Sequence, residues 1–140
     1  MKQIPVIFWT STGNTQMMAD AVAEAINAAG AEAVVKNVSE ITADEAAGYD
    51  ALALGCPAMG AEVLEECEFE PFFTELEGKL AGKKVALFGS YGWGGTYMQD
   101  WEARVKDAGA TLVADGVLAL GAPDDEAMAK LAEAGKLLAE

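Results

Sequence analysis

Histidine is absent from this chain, and cysteine is scarce, with only Cys56 and Cys67 among 140 residues. Lack of histidine removes the usual general base, the usual partner in a catalytic triad and the commonest metal ligand. The two cysteines stand too far apart for a CxxC redox pair. Isolated thiols of this kind point to a reducing compartment, where they serve as small packing residues. Basic residues are also few: 9 Lys and Arg against 23 Asp and Glu leave a net charge of −14. Nucleic acid, whose phosphates must be met by Lys and Arg, is therefore not an expected partner. Nor is an anionic membrane surface. The charge favours instead a partner with a basic docking patch, with encounter steered by the field and weakened by salt. Long apolar runs are missing too. The N-terminal run Ile4–Trp9 is too short for a signal-peptide core, and no stretch is long enough to span a bilayer. A cytoplasmic location is expected.

What is present is a foldable chain. Hydrophobic residues make up 52% of it, which excludes intrinsic disorder. The length fits one domain over residues 1–140, which would bury roughly 68–70% of the surface of its unfolded chain. Ile4–Trp9 reads as a strand buried on both faces, with Pro5 near its start. Apolar residues at Met18, Ala21, Val22, Ala25 and Ile26 have helical spacing, and Gly30 is placed to stop that helix. Strand and helix then alternate: strands at Ala33–Val38, Ala51–Gly55 and Val85–Phe88, helices at Ala43–Ala47, Phe69–Leu80 and Tyr97–Ala108. A last strand, Thr111–Val113 and Val117–Leu120, is interrupted at Asp115–Gly116, and Asp124 caps a final helix. This alternation predicts an α/β, doubly wound three-layer fold, with a five-stranded parallel sheet of order 2-1-3-4-5. Ligands of such sheets lie beyond the carboxyl ends of the strands, at the switch between strands 1 and 3. The unusual residues of this sequence follow strands 1, 3 and 4.

The first of these loops is Thr10, Ser11, Thr12, Gly13, Asn14 and Thr15. Backbone N–H groups at a helix start, four hydroxyls and an amide make an anion site of neutral donors. The loop has no Lys or Arg, unlike a phosphoryl-transfer loop, so it suits a phosphate that is anchored rather than transferred. GxGxxG is absent, which argues against NAD at this position. The other two loops are Pro57, Ala58, Met59, Gly60, Ala61 and Glu62, and Ser90, Tyr91, Gly92, Trp93 and Gly94. Met59 and Trp93 offer a thioether and an aromatic face to a flat ring, and the glycines let backbone approach its rim. Taken alone, Met59 reads as a core residue, Trp93 equally as core, and Tyr91 as packing or lining the site edge.

The run T-x-T-G-N-T resembles the phosphate loop of the flavodoxins. The likeness extends along nearly the whole chain, through E-x-E-P-F at Glu68–Phe72 and G-K-K-V-A-L-F-G-S-Y-G-W-G at Gly82–Gly94. It is closest to the short-chain flavodoxins of anaerobic bacteria. The resemblance implies one non-covalent flavin mononucleotide (FMN). Thr10, Ser11, Thr12, Asn14, Thr15 and Ser90 would surround its phosphate. Trp93 and Met59 would cover the two ring faces, Glu62 would meet the pyrimidine edge, and the N–H groups of Gly92 and Trp93 the ring's carbonyl side. The peptide after Met59 would turn over on reduction so that the Gly60 carbonyl meets the proton gained by the ring. Three departures stand out: Gly94–Met98 is one residue shorter than its counterpart, Ala61 replaces a smaller or polar residue, and Gly121-Ala122 replaces a more polar stretch.

The implied function is a low-potential electron-transfer protein, a carrier rather than an enzyme, shuttling single electrons between semiquinone and hydroquinone. A unit charge ~10 Å from the ring opposes the second electron by about 0.4 kcal/mol at a water-like dielectric and about 1.7 at ε ≈ 20. That is roughly 20–70 mV per charge. Glu62, Glu65, Glu66, Glu68 and Glu70 would act in this way and orient a basic partner. Redox proteins with basic docking patches, ferredoxin-linked oxidoreductases among them, are the implied partners of a monomer. The alternative is an FMN-dependent quinone or nitro-compound reductase on the same fold, which needs a nicotinamide site. A phosphorylated receiver shares the topology but needs acids where Thr10-Ser11 and Gly55-Cys56 stand. A non-redox interaction module would remain if the shortened loop had lost flavin.

Overall fold

A strand covered on both faces gains from apolar residues at every position, and each face then takes every second one. The strands of this chain sort in that way. The computed structural model describes residues 3–9, 13–56, 68–91, 97–120 and 123–139. Within these, β1 is Gln3–Phe8, β2 Glu32–Asn37, β3 Ala51–Gly55, β4 Lys84–Tyr91, β5 Thr111–Leu112 and β6 Val117–Leu120. The helices are α1 Asn14–Ala28, α2 Ala43–Ala46, α3 Phe69–Glu77, α4 Tyr97–Asp107 and α5 Asp125–Ala139. Ile4, Val6, Phe8, Ala51, Ala53, Ala86, Phe88, Val117 and Ala119 face one way, against α1 and α5. Ile7, Leu52, Leu54, Val85 and Leu87 face the other way, against α2, α3 and α4. The result is helices, sheet, helices.

All pairings are parallel, and the strand order is β2-β1-β3-β4-β5, with β6 also on β4. The expected 2-1-3-4-5 order is therefore present, its fifth place shared by β5 at Lys84–Val85 and β6 at Phe88–Tyr91 of β4. Between them the Gly116 N–H donates to Glu102 Oε2 at 2.7 Å, and the Met98 side chain occupies the space where a Cβ on Gly116 would lie. Pro5 sits in β1 opposite Val34, and the ladder from β1 to β3 begins only at Val6.

The helix ends follow local chemistry. Gly30 takes φ 94°, and the Ala31 N–H reaches back to the Ile26 carbonyl at 3.2 Å, which closes α1 as expected. Gly109, at φ 89°, closes α4 in the same manner. Asp124 caps α5 by accepting from the Ala127 N–H at 2.8 Å. Several boundaries differ from the sequence reading, α3 ending at Glu77 rather than Leu80 among them, and one of them bears on the site. Strand 4 was expected to stop at Phe88, but β4 continues through Gly89 and Ser90 to Tyr91, because Leu118, Ala119 and Leu120 of β6 pair with them.

Candidate functional site

In a parallel sheet all carboxyl ends emerge on one side, and the chain reverses direction across the sheet where β1 lies between β2 and β3. Phe8, Gly55 and Phe88 stand level with one another at that side, and β4 runs three residues further to Tyr91. Backbone bonds hold the chain one step beyond the strand ends. The Trp9 N–H donates to the Gly55 carbonyl at 3.0 Å, and the Cys56 N–H to the Phe88 carbonyl at 3.1 Å. The three loops singled out in the sequence depart from these points. Of the expected site residues, Gly13, Asn14, Thr15 and Ser90 are described, and Tyr91 is described as the last residue of β4. Thr10, Ser11, Thr12, Pro57, Ala58, Met59, Gly60, Ala61, Glu62, Gly92, Trp93 and Gly94 lie outside the described residues, as does Cys67.

Gly13 stands at the N-cap of α1 with φ 92°, a left-handed conformation that an L side chain rarely adopts. Having no side chain, it cannot cap the helix as Ser, Thr, Asp or Asn would. The first turn also holds no acid. In this acidic chain that is distinctive, because α2, α3, α4 and α5 each place Asp or Glu there. Those carboxylates offset the positive end of the helix dipole, whereas at α1 it remains available to another anion.

Strand parity brings a second element to the same place. Ser90 follows Ala86 and Phe88 on the face toward α1, and its Oγ lies 3.2 Å from Thr15 Oγ1. Both residues are buried, Thr15 at 1% and Ser90 at 6% exposure. One hydroxyl gives its proton to the other, and the second keeps an O–H for a third partner. A bound phosphate needs such neutral donors at a helix start. The described part of the expected phosphate site, Gly13, Asn14, Thr15 and Ser90, is thus assembled from two elements far apart in sequence, and its donor chemistry fits the group.

The opposite parity at β4 turns Gly89 toward α4. A Cβ there would run into both the Cys56 carbonyl oxygen and the Tyr97 hydroxyl. Those two groups meet across it: the Tyr97 O–H donates to the Cys56 carbonyl at 2.8 Å, in a buried position. Burial, and next the nearby Cys56 thiol, push the phenol far above the usual tyrosine range, so it stays protonated and a donor. Gly55 is similarly constrained, since a Cβ would enter the buried Phe88 ring. These supporting residues were not singled out in the sequence, where Gly89 read as the start of a loop.

The acidic cluster after strand 3 is partly committed to structure. Glu70 makes a two-pronged pair with Arg104, at 2.7 and 2.9 Å, and Arg104 also meets Glu77 at 3.1 Å. The Arg104 hydrogen bonds hold the Glu70 carboxyl below the usual range, although burial opposes this. Glu70 was expected to repel a reduced ring, but its charge is offset within the α3–α4 contact. Glu68 accepts from Trp9 Nε1 at 3.3 Å, which joins the end of β1 to the entry of α3. Among the described residues no group of His, Cys, Asp and Glu could hold a metal ion, and no helix is long and apolar enough to cross a membrane.

Comparison with known proteins agrees with this geometry. The sequence model of the family described as Flavodoxin matches residues 6–135. A flavodoxin of Clostridium beijerinckii is 47% identical over 135 residues, covering 96% of this chain and 97% of that one. A flavodoxin of Megasphaera elsdenii is 46% identical over 116 residues, covering 82% and 85%. The solution structure of the two-electron reduced M. elsdenii flavodoxin superposes with a TM-score of 0.90 at 42% identity, over 97% of this chain and 98% of that one.

Proposed function

The chain belongs to the flavodoxin family, FMN-binding electron carriers rather than enzymes, and from that premise we propose that it is a low-potential donor of single electrons. The observation that carries this reading is the start of α1, where the left-handed Gly13, an acid-free first turn and the buried Thr15–Ser90 hydroxyl pair suit a phosphate held by neutral donors. Bound FMN supplies the electron storage. The chain's own residues bind it, orient it and set how readily it accepts charge. Thr10, Ser11, Thr12, Gly13, Asn14, Thr15 and Ser90 hold the phosphate. Pro57, Ala58, Met59, Gly60, Ala61 and Glu62 form one wall of the ring site, and Tyr91, Gly92, Trp93 and Gly94 the other. Glu62 would accept a hydrogen bond from the pyrimidine edge, and the Gly60 carbonyl would accept one from the N–H that the ring gains on reduction.

Partners are redox proteins, and the charge of −14 favours those with basic docking patches, such as ferredoxin-linked oxidoreductases. The same charge and the scarce thiols support a monomer working in the cytoplasm. Helices on both faces of one sheet support a single domain over residues 1–140. The reductase alternative is not favoured, because the chain matches electron carriers over nearly their whole length.

An anaerobic reductive titration of the purified protein tests the proposal. The expected course is a yellow protein that takes up electrons in two separated one-electron steps, with a transient blue colour. Bleaching in a single two-electron step would favour the reductase. A colourless protein that takes up no added FMN would overturn the reading.

A further inference from the structure

Between the two loops assigned to the flavin ring lies a buried bond with no ligand role of its own. Cys56 is the last described residue before the segment 57–67, and Tyr97 is the first after the segment 92–96. The Tyr97 hydroxyl, on a residue only 2% exposed, donates to the Cys56 carbonyl at 2.8 Å. Gly89 makes room for both atoms, since a Cβ there would strike each of them. Cys56 is in turn fixed to β4 through its N–H on the Phe88 carbonyl at 3.1 Å. The stem of one ring loop is therefore fastened to the stem of the other by a side chain, in a slot shaped by a glycine.

We propose that Tyr97 is a positioning residue for the flavin site, its hydroxyl and the Gly89 slot fixing the spacing of the two loops that enclose the ring. The inference rests on the FMN reading above and goes beyond it, because neither Tyr97 nor Gly89 is among the residues assigned to the ligand. If the peptide after Met59 turns over on reduction, as the family resemblance implies, the loop needs a stem that does not follow it. The Cys56 carbonyl, held on one side by the sheet and on the other by α4, provides such a stem. The fastening therefore bears on how each electron is accepted as well as on how tightly FMN is held.

The test uses the full chain, FMN and three variants. Tyr97→Phe keeps the ring and removes the bond. Gly89→Ala keeps the tyrosine and forces the carbonyl and hydroxyl apart. Val105→Ala, about two turns further along α4 and fully buried, loosens the same helix core without touching the fastening. Titrating FMN into each apoprotein, followed by quenching of FMN fluorescence, should give a dissociation constant raised about tenfold for Tyr97→Phe and Gly89→Ala. The double variant should add little to either, as expected for residues acting through one contact. Anaerobic titration should show the spacing between the two one-electron steps altered in both, and unaltered in Val105→Ala even where its melting temperature falls as far. If Tyr97→Phe loses only melting temperature, with wild-type affinity and step spacing, the proposal fails while the FMN reading stands. If the wild-type apoprotein takes up no FMN, both fail together.

Discussion

The two faces of the sheet are packed by different rules. Toward α1 and α5 the strands present Ala51, Ala53, Ala86 and Ala119 beside Ile4, Val6, Phe8, Phe88 and Val117, and α5 turns Gly135 onto the Val22 carbonyl of α1 and the Ala25 methyl. Toward α3 and α4 they present Leu52, Leu54 and Leu87, met by Phe69, Phe73 and Trp101. Trp101 takes both phenyl rings edge-on, at 5.5 and 5.8 Å, and the Arg104 guanidinium lies 4.7 Å over the Phe73 ring. The first face gains by close approach of backbones, the second by large apolar surface and ring geometry. Phosphate and ring loops divide in the same way. The phosphate loop leads into α1, on the close-packed face, and both ring loops lead into the aromatic-face helices α3 and α4.

If this contrast is right, the aromatic face should fail by subtraction and the alanine face by addition. Phe73→Ala removes a ring that packs on Trp101 and under Arg104, and should cost about 3–5 kcal/mol in a denaturant titration. A loss below about 1 kcal/mol would mean that the cluster relaxes easily and the contrast is overdrawn. Gly135→Ala adds one methyl to α5. Helix propensity alone would make it stabilising by about 1 kcal/mol. Yet the new Cβ would lie 2.8 Å from the Val22 carbonyl, so a net loss of about 1–2 kcal/mol is expected. A raised melting temperature would show that the helices can part without cost.

The smallest effect concerns the charges on the aromatic face. Glu70→Gln should cost about 1 kcal/mol or less at neutral pH, because the pair with Arg104 is about one-third exposed. Its pH dependence is more telling than its size. A carboxyl whose folded pKa is depressed contributes stability above its unfolded value and loses it as pH falls through the folded one. The gap between wild type and Glu70→Gln should therefore be constant above about pH 5 and close progressively below about pH 4. A gap that survives full protonation would place the effect in packing instead.

Much of this was legible in the sequence because it is local. Continuous apolar runs announced strands buried on both sides, Gly30 ended its helix, and Asp124 marked the start of α5. The site was legible in part. Gly13 and Thr15 follow a buried strand, and Ser90 stands in the loop read after strand 4, although its phosphate role came only from family resemblance. What stayed hidden depends on partners distant in sequence. Gly89-Ser90-Tyr91 looks like a loop until β6 is laid beside it, and then parity sends Ser90 to Thr15 and the Gly89 slot to Tyr97. Glu70 read as one more acid opposing the reduced ring because Arg104 lies on another helix. Two capping boxes, Asn37 with Glu40 and Thr42 with Glu45, were spelled out in the chain and went unread, since neither bears on the site.

The divided fifth place of the sheet has one more consequence. An outer strand is a row of open N–H and C=O groups, and a long flat row invites a strand from another molecule. Here β5 offers two residues and β6 four, with Gly116 between them tied to Glu102. The chain thus ends its sheet on a broken border, too short on either side of the break to template a neighbour. On the opposite border β2 is longer, at six residues, but it bears Glu32 and Lys36. Both borders of the sheet thus carry features that oppose pairing with a strand of another molecule.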